Sequence, residues 1–240
     1  MKIIITEDYD ELSIKGAEII AEVIKNNPRA VLGLATGSTP IGAYKNLVKT
    51  YGLGNITFKE IETVNLDEYA GLGEESEHSY VSFMRENLFD KVDIDLKNTH
   101  LPNGKAENLN EECERYSRLV FSHTQDIQLL GLGSNGHIGF NEPFTPFNSL
   151  THVVNLTENT IKDNSRLFEK EEDVPRQAIT MGIREIMQAK KILVLASGKN
   201  KAKAVYSMVK GEVSEECPAS VLQRHSDVML VIDREAASLL

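Results

Sequence analysis

The chain has 240 residues, 41% of them hydrophobic and 26% charged, which suits a globular protein with a sizeable buried core and excludes disorder as its main state. Its formal net charge of -10 argues against a nucleic-acid partner but leaves room for a small phosphorylated one, because a phosphate site needs only a few local cations and backbone N–H groups. No apolar run approaches the ~18 to 20 residues of a membrane helix, and the opening MKIIITEDYDEL lacks the pattern of a secretory signal. Two cysteines, Cys113 and Cys217, stand far apart without metal-ligand spacing, so two reduced thiols and a cytoplasmic setting are expected.

In chain order, short apolar runs fall at Lys2–Thr6, Ala30–Ala35, Glu62–Asp67, Asp126–Gly133, Thr151–Leu156, Lys190–Ala196 and Asp227–Asp233. Several, such as KILVLA and VMLVID, are continuous rather than alternating, as in strands covered on both faces. Amphipathic stretches lie between them at roughly Asp10–Asn26, Pro40–Tyr51, Ser79–Asp90, Glu107–His123 and Asn200–Lys210. The alternation predicts an α/β fold: an open, mainly parallel sheet with helices on both faces, built as one domain over 1–240. Asn141 to Pro175 breaks the rhythm, with two prolines in NEPFTPFNSL and an acidic EKEEDVP, and reads either as a lid (about 143–175) or as a plain surface excursion.

Ligands in such sheets bind beyond the carboxyl ends of the strands, so the residues that follow each run are the candidates. After VLGLA comes Ala35-Thr36-Gly37-Ser38-Thr39-Pro40. Gly37 permits a tight turn, Ser38 and Thr39 can cap a helix, and Pro40 suits its first position. The loop therefore offers an anion site at a helix N-terminus or an ordinary capped start. Asn65-Leu66-Asp67-Glu68-Tyr69 sets two carboxylates at a strand end, where one can serve as a general base or both as surface charge. Gly131 to Glu142, GLGSNGHIGFNE, brings His137 and Glu142 into one glycine-rich loop and points to proton transfer. Arg166 in NSRLF and Lys201 in ASGKNKA are cations suited to a phosphate, or solvated charges.

The phrases LGLATGSTP, NLDEYAGL, HSYVSFM, GLGSNGHIGFNEP, NSRLF and ASGKNKA occur in that order over about residues 1–234, and together they resemble the glucosamine-6-phosphate deaminases. The resemblance implies a Rossmann-like fold and conversion of glucosamine 6-phosphate and water to fructose 6-phosphate and ammonia, with no metal or cofactor. By position, Asp67 would be the C2 base, and His137 the ring-opening group assisted by Glu142. Gly37, Ser38 and Thr39, with Arg166 and Lys201, would hold the phosphate, and the segment after Glu142 would be the lid. Many members carry an aspartate where this chain has Asn135; an amide there orients the imidazole without stabilising its charge, leaving Glu142 as the main carboxylate partner of His137. The chain resembles the short bacterial form, for which a monomer is favoured over a hexamer. Two rivals stand against this reading. One is a 6-phosphogluconolactonase-like hydrolase, whose loops read Asp-Glu-Arg and Gly-His-Thr rather than Asp67-Glu68-Tyr69 and Gly136-His137-Ile138. The other is a non-catalytic sugar-phosphate sensor.

Overall fold

A computed structural model describes residues 1–156 and 175–240. Seven strands, all parallel, form the larger sheet: β1 (Lys2–Thr6), β2 (Val31–Leu34), β3 (Glu62–Asn65), β5 (Thr99–His100), β6 (Ile127–Gly131), β9 (Ile192–Ala196) and β10 (Val228–Asp233), in the order β1-β10-β9-β6-β2-β3-β5. The continuous runs take the middle of the sheet, and all five residues of β9 are buried. Both faces of those strands are therefore covered, which is why their sequence shows no alternation.

The connections give each helix its face. From β2 to β3 and β5 the chain steps in one direction, from β6 to β9 and β10 in the other. With right-handed crossovers, α1 (Tyr9–Asn26), α2 (Ile41–Gly52) and α3 (Tyr80–Asn87) lie on one face, whereas α4 (Leu109–Ser122), α5 (Ile183–Ile186) and α6 (Ala202–Lys210) lie on the other. Packing of α1 on α2, α2 on α3 and α4 on α5 agrees. The stepping direction reverses between β2 and β6, which are neighbours, and a crevice opens at such a point beyond the strand tips. Local chemistry starts the helices: the Asp8 side chain caps α1 through the Glu11 N–H, Ser79 caps α3 through that of Ser82, and Asn108 caps α4.

Two features differ from the reading of the chain. The run Glu62–Asp67 is two strands, since Leu66 leaves the large sheet and Asp67 begins β4 (Asp67–Tyr69). β4 pairs antiparallel with β8 (Gln177–Thr180), and β8 with β7 (His152–Asn155), giving a second, three-stranded sheet. Within the segment expected to be irregular, the run Thr151–Leu156 supplies β7 as read, and the Phe144 N–H donates to the Glu215 carbonyl at 2.6 Å. The rest of the expected lid, including Arg166, lies outside the described residues. Two short strands, β5 and β8, escape a periodicity search because two to four residues carry too little pattern.

Candidate active site

A cavity of about 220 Å³ opens at the reversal point, lined from the β2 tip by Ala35–Thr39, from the β3–β4 junction by Leu66 and Asp67, and from the β6 tip by Gly131–Ser134. His137, Gly139 and Phe140 continue the wall, Tyr80 comes from the start of α3, and Asn200 and Lys201 come from the β9 tip. Asp67 and His137 therefore face one hollow, together with Gly37, Ser38, Thr39 and Lys201. Glu142 stands behind His137, and Asn135 behind Glu142.

The loop after β2 is held by two tyrosines. Tyr44 donates its hydroxyl to the Ala35 carbonyl at 2.5 Å. The Tyr9 hydroxyl accepts from the Gly42 N–H at 3.0 Å and donates to the carbonyls of Ser38 (3.0 Å) and Thr39 (3.1 Å). Gly37 has φ +92°, in the left-handed region that only glycine enters without strain. The capping expectation needs correction. Pro40 occupies the N-cap position of α2 in helical backbone geometry, and no side chain caps the helix. Tyr9 from α1 takes over at Gly42, so the Ser38 and Thr39 hydroxyls are not spent on capping and the loop faces the cavity at a helix N-terminus.

The two adjacent carboxylates have separate fates. Glu68 turns into the protein and accepts N–H bonds from Tyr69 (2.8 Å), Tyr80 (3.0 Å) and Val81 (3.1 Å), anchoring the first turn of α3. Burial pushes Glu68 up to about 7, against the pull of those three donors. Asp67 is only 6% exposed; burial first, and the Glu68 charge second, push it up to about 8, while a hydrogen bond with the Thr36 side chain pulls it back. A carboxyl group raised toward neutrality inside a cleft suits proton transfer to and from carbon. Burial also keeps the Tyr80 hydroxyl well above its ordinary range, hence neutral.

The β6 loop builds the imidazole's seat from glycines. A Cβ on Gly133 would stand 2.4 Å from the His137 ring, so the bare glycine is what lets the imidazole lie against the backbone. The Gly133 N–H donates to the His137 carbonyl at 2.9 Å, and the Gly136 N–H to the Gly133 carbonyl at 3.0 Å, closing the turn. His137 Nδ1 lies 3.5 Å from Glu142 Oε2, and the Asn135 side-chain amide donates to that same oxygen at 2.7 Å. Asn135 Oδ1 accepts the His137 backbone N–H at 3.2 Å. Asn135 thus acts on the carboxylate rather than on the ring: it fixes Glu142, which faces the histidine.

Lys201 arrives on a turn secured by Asp233 at the end of β10. That carboxylate accepts from the Ser197 hydroxyl (2.5 Å), the Gly198 N–H (2.9 Å) and the Ala236 N–H (2.8 Å). Tyr80, Asn200, Thr36 and Ser134 line the hollow, and Tyr9, Tyr44, Glu68 and Asp233 brace it; of these, only Glu68 was weighed from the sequence, as one of two carboxylates that could serve as a base. Thr36, Ser134 and Asn200 sit inside the motifs ATGST, GLGSNGHIGFNE and ASGKNKA, and Tyr80 inside HSYVSFM, so each had a local signal; Tyr9 and Tyr44 come from helices and carry none.

A doubly wound sheet that gathers a hydroxyl-rich helix N-terminus, a lysine, a buried carboxyl group and an imidazole around one hollow defines a Rossmann-like α/β protein for a small anionic substrate. The chain belongs to the family described as glucosamine-6-phosphate isomerases/6-phosphogluconolactonase, whose model matches residues 9–231. A glucosamine-6-phosphate deaminase of Thermoanaerobacter sp. (strain X514) is 52% identical over 241 residues, covering 100% of this chain and 95% of the relative. A solved structure described as a monomeric glucosamine-6-phosphate deaminase is similar at 51% identity and a TM-score of 0.98, with both chains covered in full. A 6-phosphogluconolactonase from Trypanosoma cruzi, at 20% identity and a TM-score of 0.81 over 100% of this chain and 96% of that one, shares the fold alone.

Proposed function

We propose that this chain catalyses the isomerisation and deamination of glucosamine 6-phosphate to fructose 6-phosphate and ammonia, acting as a single sugar-phosphate domain. The observation that carries the reading is the pairing, across one cavity, of a buried carboxyl group raised to about 8 with an imidazole backed by a carboxylate. The relatives at about half identity over the full chain agree with it.

The reaction starts from a closed sugar ring. His137, backed by Glu142, moves a proton from the anomeric hydroxyl to the ring oxygen, and the C1–O5 bond breaks to give the aldehyde. Asp67 then takes the proton from C2; the electron pair forms the C1–C2 double bond of an enolamine as O1 gains a proton from solvent, which is returned when water later adds at C2. Asp67 returns its proton at C1, leaving an iminium at C2. Water adds to C2, ammonia departs, and the ketone remains. The substrate's own carbonyl and amine carry the developing charge. Ser38, Thr39, Lys201 and Arg166 hold the phosphate, so that binding energy remote from the reaction aligns C1 and C2 with Asp67.

Lactone hydrolysis gives no work to a carbon base at Asp67, and a sensor needs neither Asp67 nor His137. The test measures ammonia and fructose 6-phosphate together from glucosamine 6-phosphate. Equal amounts of both products, abolished in Asp67→Asn, support the proposal; absence of ammonia from the wild-type protein overturns it. A monomer is part of the proposal, in keeping with the description of the similar structure. So is a cytoplasmic setting, in keeping with the free thiols of Cys113 and Cys217. No helix among the described residues is long and apolar enough to cross a membrane.

A further inference from the structure

Glu62, His100 and His123 meet at the β5 edge of the large sheet, and none of them lines the catalytic cavity. Glu62 opens β3, His100 closes β5, and His123 is the C-terminal cap residue of α4, so three elements distant in sequence deliver one cluster. Glu62 Oε2 is 3.1 Å from His123 Nε2 and 3.8 Å from His100 Nε2, and the three ligand atoms all lie within 4.8 Å of one another.

Hydrogen bonding sets the tautomer of His123. Its Nδ1 is 2.9 Å from the Leu119 carbonyl, which can only accept, so the proton of a neutral ring sits on Nδ1. The Ser122 hydroxyl donates to that same carbonyl at 2.8 Å and turns a lone pair, not a proton, toward Nδ1 at 2.9 Å. Nε2 of the neutral ring then points a lone pair at a carboxylate oxygen. Two acceptors face each other unless a cation comes between them. A proton could bridge one ring to Glu62, but charging both rings would set two imidazoliums side by side, with centroids 5.1 Å apart. One divalent ion satisfies the His123 lone pair and the carboxylate at once, with His100 Nε2 close enough to join them. The nearby Arg115 guanidinium is already tied to Glu112, by bonds of 2.6 and 2.7 Å.

We propose that Glu62, His100 and His123 form a binding site for a borderline divalent transition metal of the zinc class. Bonds of ~2.0–2.1 Å to tetrahedral zinc put neighbouring ligand atoms roughly 3.3–3.5 Å apart, close to the 3.1 and 3.8 Å from Glu62, and the ligand atoms of the two imidazoles lie within 4.8 Å of one another. Two imidazoles with one carboxylate suit zinc and disfavour calcium or magnesium, which take oxygen ligands. An imidazole N–H donated to a backbone carbonyl is the usual second contact of a metal-bound histidine. Partial exposure of all three side chains (22%, 28% and 39%) leaves a path of entry and a fourth position for water. Such an ion would tie the last turn of α4 to strands β3 and β5, a structural role separate from the chemistry at the strand tips.

The test uses the full chain stripped with a chelator and titrated with zinc alone at pH 7.5 in competition with a chromophoric chelator. One equivalent bound with a micromolar or tighter Kd is expected, and Glu62→Gln, His100→Ala and His123→Ala should each weaken it about tenfold or more. His152→Ala, a histidine outside the cluster, should bind zinc as wild type does. Zinc should raise the melting temperature of the wild type and not that of the three variants, whose metal-free melting reports that they fold. Failure of the wild type to bind zinc, or wild-type affinity in any of the three variants, overturns the proposal.

Discussion

Burial and the Glu68 charge push the Asp67 carboxyl group up to about 8, and with Asp67 as the proposed base this gives the activity of the free enzyme a defined pH dependence. A base must be ionised, so kcat/KM should fall about tenfold per pH unit below that value and level off above it; a profile from pH 6 to 9 checks this. The same shift bears on stability. The folded-state value lies above the ordinary 3.8, so the native state holds a proton that the unfolded chain releases, and stability falls as pH rises from about 3.8 to about 8. Asp67→Asn should therefore melt higher than the wild type at pH 8, by about 2–4 °C for each kcal/mol relieved, with the gain vanishing toward pH 4. The same variant should still bind substrate while losing exchange of the C2 proton with solvent, which NMR in deuterium oxide measures. Gly133→Ala is a steric probe: its Cβ would sit 2.4 Å from the His137 ring, so the imidazole must leave its seat. Turnover should drop about a hundredfold, the loss that small misplacements of a catalytic group bring, with little change in substrate affinity.

Side chains that line the cavity are held by elements that lie outside it. The Tyr9 hydroxyl makes three contacts that join α1 to the β2 loop and to the first turn of α2. Tyr9→Phe removes them, and at ~0.5–1.5 kcal/mol for a net hydrogen bond the loop should loosen enough to raise KM several-fold with a smaller effect on kcat. Lys201→Ala and Arg166→Ala should likewise raise KM for the phosphorylated substrate; unchanged KM in both would remove them from the phosphate site. The split of Asp67 from Glu68 is also an effect of elements. β4 alternates its side chains, so one carboxyl group faces the cavity and the next faces the N-terminus of α3, where the N–H groups of Tyr80 and Val81 join that of Tyr69 on it. Adjacent acids in a sequence look alike; only the strand that carries them assigns their directions.

At the scale of the whole molecule, sheet order governs the site. The reversal between β2 and β6 opens the crevice, and β3, β9 and their loops flank it from either side. A monomer predicts a sedimentation mass near 26.7 kDa without concentration dependence. The sequence by itself determined the strand–helix alternation, because burial on both faces writes itself as continuous apolar runs such as Ile192–Ala196. It also exposed the strand-tip loops, where glycines, hydroxyls, Asp67 and His137 crowd into short motifs whose chemistry is local. What only the tertiary structure decided is every relation between distant residues. The small antiparallel sheet, the bracing by Tyr9, Tyr44 and Asp233, the Tyr80 wall and the Glu62–His100–His123 cluster belong to that group. Periodicity records which way a side chain faces within its own element; which elements become neighbours is a matter of sheet order and crossover handedness, and those arise from packing across the whole chain.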